Sequence, residues 1–483
     1  MRTWFFLVVM ALAALPIFAQ QNATQPAASN PFFEEWTTPF GVPPFGRIRE
    51  NDYLPAFKEG IARQRRKVDA ISRNAQPPTF ENTIAALDKS GDFLDRVELV
   101  FNGQLKVEST DALQAIAREV SPMLSSLDDD INFDEALFER VEALWEKRET
   151  LDLTQEQRKL LEDRYKNFVR GGANLDPAGK ERLRAVNKEL SLLGLKFREN
   201  VLKETNAFKL VIENKDDLAG LPPDAVTAAE DAARAAGLEG KWVFTLQAPS
   251  IWPFLHYADS RELRKKLLTA YVTRADHGDA YDNKAVLSKT AALRAEKANL
   301  LGYPTWADFV LYRNMAKSPE KVYTLLDQVW APALRVARVE VTDLQAEIET
   351  EGDEFALEPW DWRYYSEKVR KSRFDVDQEE LRPYFELDNV LKGAFYVAEK
   401  LYGTTFIERT DIPKYDADVR TFEVKDADGS FLGVFMTDYH PRPGKRGGSW
   451  CGRYRVQCVR DGKDVRPVVV NAVSYTHLTL PTN

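Results

Sequence analysis

Sulfur and imidazole are scarce in this chain: its 483 residues include two cysteines, five methionines and four histidines. Two thiols, Cys451 and Cys458, cannot frame a disulfide-stapled fold. On one extended strand they would be too far apart to bond and would face opposite sides, so they read as packing residues or free thiols. The histidines are His256, His277, His440 and His477; no two lie three or four apart, and no His-Glu dipeptide occurs. A helix presenting two imidazoles on one face is therefore excluded. Asp438 and His440 could pair as ligands on a strand-like run, but a catalytic metal site takes about three protein ligands, and a structural His440 is the simpler reading. His256 and His277 read as helix-surface or packing residues. No G-x-S-x-G elbow is present and neither cysteine has an identifiable histidine partner, which argues against serine or cysteine hydrolase chemistry. Basic excess is missing too. A net charge of −9 gives no general attraction for phosphate backbones, so no nucleic acid partner is expected. With 25 prolines, 24 glycines and no fixed period in motif residues, low-complexity, fibrous and solenoid architectures are disfavoured.

What is present suits a soluble globular protein of two or three ordinary domains, or one large helical body: 44% hydrophobic and 29% charged residues. At the N-terminus, Arg2 precedes the apolar run Trp4–Leu15, which Pro16 breaks before Ala19. That is a signal-peptide pattern, so residues 1–19 are expected to be removed on export, with an uncleaved N-terminal anchor as the alternative. The run is too short for a stable membrane span, and no cysteine follows it for a lipid anchor. Residues 20–31 read as a flexible leader, within which Asn22-Ala23-Thr24 fits a glycosylation sequon.

From residue 32 to about 410 the pattern is mostly helical. Phe80, Ile84, Leu87, Gly91, Leu94 and Val97 recur at steps of three and four after the N-cap Thr79. Thr154–Gln157 fits a capping box. Leu183, Val186, Leu190, Leu193, Phe197 and Val201 predict a long helix, Glu181–Thr205, with a narrow seam. Ser318-Pro319-Glu320 opens a further helix whose buried face is expected at Val322, Leu325, Leu326 and Val329. Residues 206–253 read as a small β-containing insertion, with strands at Phe208–Ile212 and Trp242–Phe244 around an Ala-rich helix. Residues 411–473 predict a β-meander: Thr421–Lys425, a turn at Asp426–Gly429, Phe431–Thr437, Ser449–Val459, a turn at Asp461-Gly462, and Val465–Ala472. The Asp426-x-Asp428-Gly429 turn lacks the further ligands of a calcium loop.

Five segments occur in one order: T-F-E-N-T-I-A-A-L-D-K-S-G (Thr79–Gly91), L-L-G-Y (Leu300–Tyr303), M-A-K-S-P (Met315–Pro319), W-D-W-R-Y-Y-S-E-K-V-R (Trp360–Arg370) and P-R-P-G-K-R-G-G-S-W (Pro441–Trp450). Together the chain resembles the thimet oligopeptidase, oligopeptidase A and peptidyl-dipeptidase family of zinc metallopeptidases, and the first and fourth segments are most similar to the bacterial peptidyl-dipeptidase branch. The resemblance implies a mainly α fold: elongated helical lobes of a two-lobed channel peptidase, with a small β-meander near the C-terminus. It implies zinc on an H-E-x-x-H helix, its Glu as general base, a later Glu as third ligand, and short peptides as substrates. That motif lies a short way beyond Val473 in the family. Here Ser474–Asn483 departs from the pattern, so a non-native tail is expected, with an unusual genuine ending as the alternative. Zinc ligands and catalytic residues are then absent from this chain, and the polypeptide itself is expected to be inactive. Export implies a periplasmic location. The oligomeric state is left open.

The part of a site expected to remain is a β-edge. Gly447, Gly448, Ser449 and Trp450 are the candidate strand for holding a peptide, since two glycines permit close backbone approach; a glycine hairpin with a packed Trp is the alternative. Arg442–Arg466 carries eight basic residues against Asp461 and Asp464. Arg453 and Arg455, expected on one strand face, are candidates for gripping a substrate's terminal carboxylate; a solvated sheet face paired with helix carboxylates is the competing reading. Trp360, Trp362, Tyr364 and Tyr365 read as core packing. A rival function is a non-catalytic helical peptide-binding or scaffold protein.

Overall fold

The computed structural model describes residues 29–473 apart from 376–377. The expected signal peptide, most of the leader and the tail with His477 lie outside the described residues.

The chain is mainly helical. Helices α1 (Glu50–Ser72), α2 (Asp92–Val107) and α3 (Asp111–Asn132) pack together, and α4 (Glu135–Glu146) and α5 (Gln155–Gly171) follow. Two of the expected caps are made, while Ser318 opens its helix without a side-chain cap. Thr79 accepts from the Asn82 amide, and Thr154 and Gln157 exchange a capping box. The stripe from Phe80 to Val97 is buried throughout, yet it is not one continuous helix. Residues Phe80–Ala85 form a π-turn segment and Lys89–Gly91 a 3₁₀ turn before α2 begins. Gly91 sits where a Cβ would lie 3.2 Å from the Gln64 side chain, so the chain bends there against α1.

Helix α6 (Pro177–Ala207) starts at Asp176 and Pro177, one turn earlier than predicted. It packs against α3 on one side and α10 (Lys284–Leu300) on another. Two neighbours change the buried set: Leu195 and Asn200 go inside with Leu183 and Val186, while Phe197 of the expected seam is exposed. Between α6 and α10 lie the antiparallel pair β1 (Leu210–Ile212) and β2 (Trp242–Phe244), α7 (Pro223–Ala235), α8 (Ala248–Tyr257) and α9 (Arg261–Val272). They share one apolar core around Phe244, Phe254 and Leu267.

Helix α11 (Pro319–Thr350) has its expected start. Its expected buried face is not buried: Val322 is half-buried, and Leu325, Leu326 and Val329 are exposed. Among the described residues its buried side chains are confined to the far end, where Leu344 and Ile348 meet Tyr364 and Tyr365 of α12 (Trp362–Phe374). Helix α13 (Leu387–Tyr402) precedes the sheet.

The sheet has five strands in the order β3 (Thr405–Glu408), β4 (Arg420–Lys425), β5 (Phe431–Asp438), β9 (Val468–Val473), β6 (Ser449–Arg455). Strand β3 falls in the stretch read as helical. The first three strands form an antiparallel meander, but β9 then pairs parallel to β5, and β6 lies antiparallel on its far side. The sheet is therefore mixed, and two long strand predictions each break in two. Strands β7 (Cys458–Arg460) and β8 (Lys463–Val465) form a separate hairpin. The reason is composition. Val468, Val470 and Ala472 are buried, as suits an interior strand, whereas β6 exposes Ser449, Cys451 and Arg453, as suits an edge. The sheet and the first three helices share a core that includes Phe57, Val97, Phe101, Val434, Met436, Tyr454 and Val470.

Candidate functional site

The P-R-P-G-K-R-G-G-S-W segment joins β5 to β6 and is held from beneath by a buried ion cluster. Strand β5 ends at Asp438, whose side chain is wholly buried. Its carboxylate accepts from Lys445 Nζ at 2.8 Å, from both terminal nitrogens of Arg442 at 3.0 and 2.6 Å, and from the Tyr415 hydroxyl at 2.8 Å. Lys445 Nζ also donates to the main-chain carbonyls of Asp438, His440 and Val473 at 2.8, 2.8 and 2.7 Å. One ammonium thus ties the end of β5, the loop and the end of β9. Burial pulls the Lys445 pKa below the ordinary lysine value, and the Asp438 charge opposes that fall. Burial pushes the Tyr415 phenol upward, with Tyr454 and the Asp438 carboxylate adding to the effect.

The loop is fixed laterally as well. The Ser109 amide donates to the Gly444 carbonyl at 2.9 Å, and the Arg446 amide to the Lys106 carbonyl at 2.8 Å. Gly444 is obligatory at this approach, because a Cβ there would lie 2.9 Å from both Ser109 backbone N and O. Beyond these anchors Gly447 and Gly448 are exposed with open space around them, and Gly448 has φ +94°. They do not make a hairpin, because β5 and β6 are not neighbours in the sheet.

Strand β6 is the sheet's edge, and its backbone makes no hydrogen bond outside the β9 pairing among the described residues. Trp450 is half-buried opposite Ala472, and Ser449 is exposed opposite Val473. A bulge at Tyr454 corrects the expectation that Arg453 and Arg455 share a face. Arg453 pairs with Val469 and Arg455 with Val468, so they point to opposite sides. Tyr454 is buried on the helical body: its hydroxyl accepts from Gln104 at 3.3 Å, and a Cβ on Gly103 would come within 2.3 Å of its ring. Arg455 donates to the carbonyls of Arg466, Phe40 and Gly41 at 2.6, 2.7 and 3.0 Å, and burial lowers its pKa. Arg453 is exposed and makes no ion pair among the described residues.

The rest of the basic segment divides by partner. Arg460 on β7 bridges Asp88 at 2.8 Å and Asp92 at 2.9 Å, and Lys89 meets Asp461 at 2.6 Å. The β7–β8 hairpin is thereby clasped to the start of α2. Above that clasp is a polar cavity of about 420 Å³ walled by Asp88, Asp95, Asp128, Arg164, Asn167 and Arg170, within the size range of small-ligand sites.

The W-D-W-R segment proves to be a structural hub. The buried Asp361 carboxylate accepts from Arg261 at 2.8 Å and Arg264 at 3.1 Å, and the Tyr364 hydroxyl donates to Asp259 at 2.8 Å. Tyr364 and Tyr365 are core, as expected. This hub was not visible as a site in the sequence. Its one signal was a lone acid inside a run of aromatic or basic residues.

Nothing described here fits a zinc ion. Among the described residues no group of three or more His, Cys, Asp or Glu side chains is arranged so that it could hold a metal ion. Asp438 is committed to its cations and Tyr415, and His440 contributes a carbonyl to Lys445. His256 Nδ1 lies 2.7 Å from the Trp252 carbonyl, and His277 Nε2 lies 2.6 Å from Glu204. Both cysteines are free and stand on different strands.

Comparison with known proteins gives this architecture a family. The model of peptidase family M3 matches residues 254–481. The chain is 37% identical over 447 residues to a dipeptidyl carboxypeptidase of Escherichia coli, covering 92% of this chain and 65% of that protein. It is 35% identical to the Salmonella typhimurium dipeptidyl carboxypeptidase over 449 residues, with 93% and 66% coverage. Against oligopeptidase A of Escherichia coli it is 32% identical over 417 residues, with 86% and 61% coverage. The chain thus spans just under two thirds of the length of these relatives. The match covers both the helical body and the Lys445–β6 segment, and the chain belongs to peptidase family M3.

Proposed function

We propose that this chain is the peptide-holding part of an exported, periplasmic zinc peptidase that acts on short peptides and releases dipeptides from their C-termini. The observation that carries the reading is the open edge of β6. A peptide can add there as a further strand, with main-chain hydrogen bonds supplying affinity and no demand on sequence. Gly447 and Gly448 leave room at the start of that edge, and the Lys445–Asp438 cluster holds it in place. Arg453 stands exposed on the same strand and is our candidate partner for a terminal carboxylate; Arg455 is occupied by three carbonyls and is not. The names of the relatives, dipeptidyl carboxypeptidase and oligopeptidase A, support the substrate class. Zinc is the cofactor of the family in general. The described residues do not fit it, so hydrolysis is not expected from this polypeptide alone.

Two measurements test the reading. A tripeptide with a free carboxylate should bind the purified chain more tightly than its C-terminal amide, by about tenfold if one charge-assisted pair is made. Arg453→Ala should remove the difference and Arg453→Lys restore part of it. Equal binding of acid and amide to the wild-type chain would refute the role of Arg453. Separately, chelator-sensitive peptide hydrolysis by the purified chain would refute its inactivity. The second reading, a non-catalytic peptide-binding protein, uses the same edge. An in-frame H-E-x-x-H in the source DNA after codon 473 favours the peptidase, and its absence favours the binding protein.

A further inference from the structure

Helix α11 has the composition of a buried helix and the exposure of a surface one. Trp330 is 67% exposed and Leu325 62%, and Tyr323, Leu326, Val329, Val336 and Val339 are exposed with them. At about 100° per residue these side chains form two faces. Leu325, Val329, Val336 and Val339 lie along one side, and Tyr323, Leu326 and Trp330 along another. A helix apolar on more than one side is one that protein surrounds. A soluble chain rarely leaves so much contiguous apolar surface in water. Helix α13 adds a narrower seam: Val390, Ala394, Val397 and Leu401 recur at steps of four, three and four, with Leu401 67% exposed. Such a stripe is the seat for a single neighbouring helix.

We propose that α11 and α13 seat a helical polypeptide corresponding to the part of the relatives that this chain does not match. The relatives supply the argument for the occupant. They align through both helices and extend beyond the matched region by about a third of their own length, which is domain-sized. A second copy is the weaker fit, because a two-fold contact covers one side of α11 and leaves the other wet. The inference rests on the peptidase reading only in taking its occupant from the relatives.

The test reads binding, not hydrolysis, so that the two readings fail separately. The unmatched part of the Escherichia coli dipeptidyl carboxypeptidase is co-expressed with this full chain, and the products are analysed by sedimentation and amide hydrogen exchange. The expected result is a one-to-one complex with exchange slowed at least tenfold across residues 322–341 and 390–402. Leu325→Asp with Val329→Asp should weaken the complex at least tenfold, and Arg338→Glu, on the side of α11 away from both apolar faces, should not. A chimera carrying the same part after Val473 provides a second measurement if the separate polypeptide does not fold; it should show the same protection. No slowing in the chimera overturns the proposal. So does a homodimer of the chain alone that protects both faces of α11.

Discussion

Lys445 carries an ammonium into a site from which solvent is excluded, and that is stable only because four oxygens receive it. Replacing it with methionine would leave the Asp438 carboxylate buried with Arg442 and Tyr415 alone. We expect Lys445→Met to lower unfolding free energy by about 3 kcal/mol, the low end for breaking a buried pair because Arg442 stays. Chemical denaturation measures this. Arginine should not rescue the loss, since a planar guanidinium cannot point at three carbonyls and a carboxylate around one atom. Neighbouring glycines separate packing from freedom. Gly444→Ala should cost about 1–3 kcal/mol through its clash with Ser109, and Gly447→Ala, in open space, should stay within about 0.5 kcal/mol. Equal effects at the two positions would show that the loop is not docked as described. The motif was legible in the sequence as a run of glycines and cations. Which cation goes inside was not, because the carboxylate that draws Lys445 in lies outside the motif, at the end of β5, and no helix or strand period links the two.

At the scale of elements, caps and breakers were readable because they act within two to four residues: Thr79 and Thr154 cap helical segments as expected, and Ser318-Pro319 opens α11 although the Ser318 side chain makes no capping bond. Strand order was not readable. The insertion of β9 between β5 and β6 follows from which strand can be buried on both edges, a tertiary question. The packing of α2 and α3 on α1 carries a pH signature of its own. Glu98 on α2 has its pKa pushed up to about 7, first by burial and then by the like charges of Asp95 and Asp128. The folded protein therefore keeps a proton that the unfolded chain, near 4.5, has released. Stability should fall as pH rises from about 4.5 to about 7 and level off above that. Glu98→Gln, nearly the same shape without the charge, should flatten this slope and raise unfolding free energy at pH 8 by about 1–3 kcal/mol. Denaturation midpoints taken at pH 5 and pH 8 for both proteins decide it; parallel pH slopes would mean that Glu98 is not the group responsible.

Across the whole molecule, the chain's two distant ends build one core. Phe32, Val42 and Phe45 pack with α1, α2 and α3, and the sheet residues Val434, Met436, Tyr454 and Val468 close the same cluster. Arg455 binds the carbonyls of Phe40 and Gly41, and Arg460 binds Asp88 and Asp92, across more than 360 residues of sequence. No periodicity encodes such a partnership, which is why the sequence could indicate helices and strands without saying that the last strands rest on the first helices. The middle of the chain is different. Most of α11 has no core of its own, and only its last turns meet α12. Local opening costs least where few apolar contacts must be broken, and a protease acts on what opens. Dilute trypsin should therefore cut first at Lys321, Arg335 or Arg338, each exposed on α11, before any site in α1 to α3. The N-terminal and C-terminal products should then stay together through gel filtration, held by the shared core. Mass spectrometry of the first products reads the order. Early cleavage within α1 to α3, or separation of the two ends once α11 is cut, would mean that the sheet and the first helices do not form the common unit that their contacts describe.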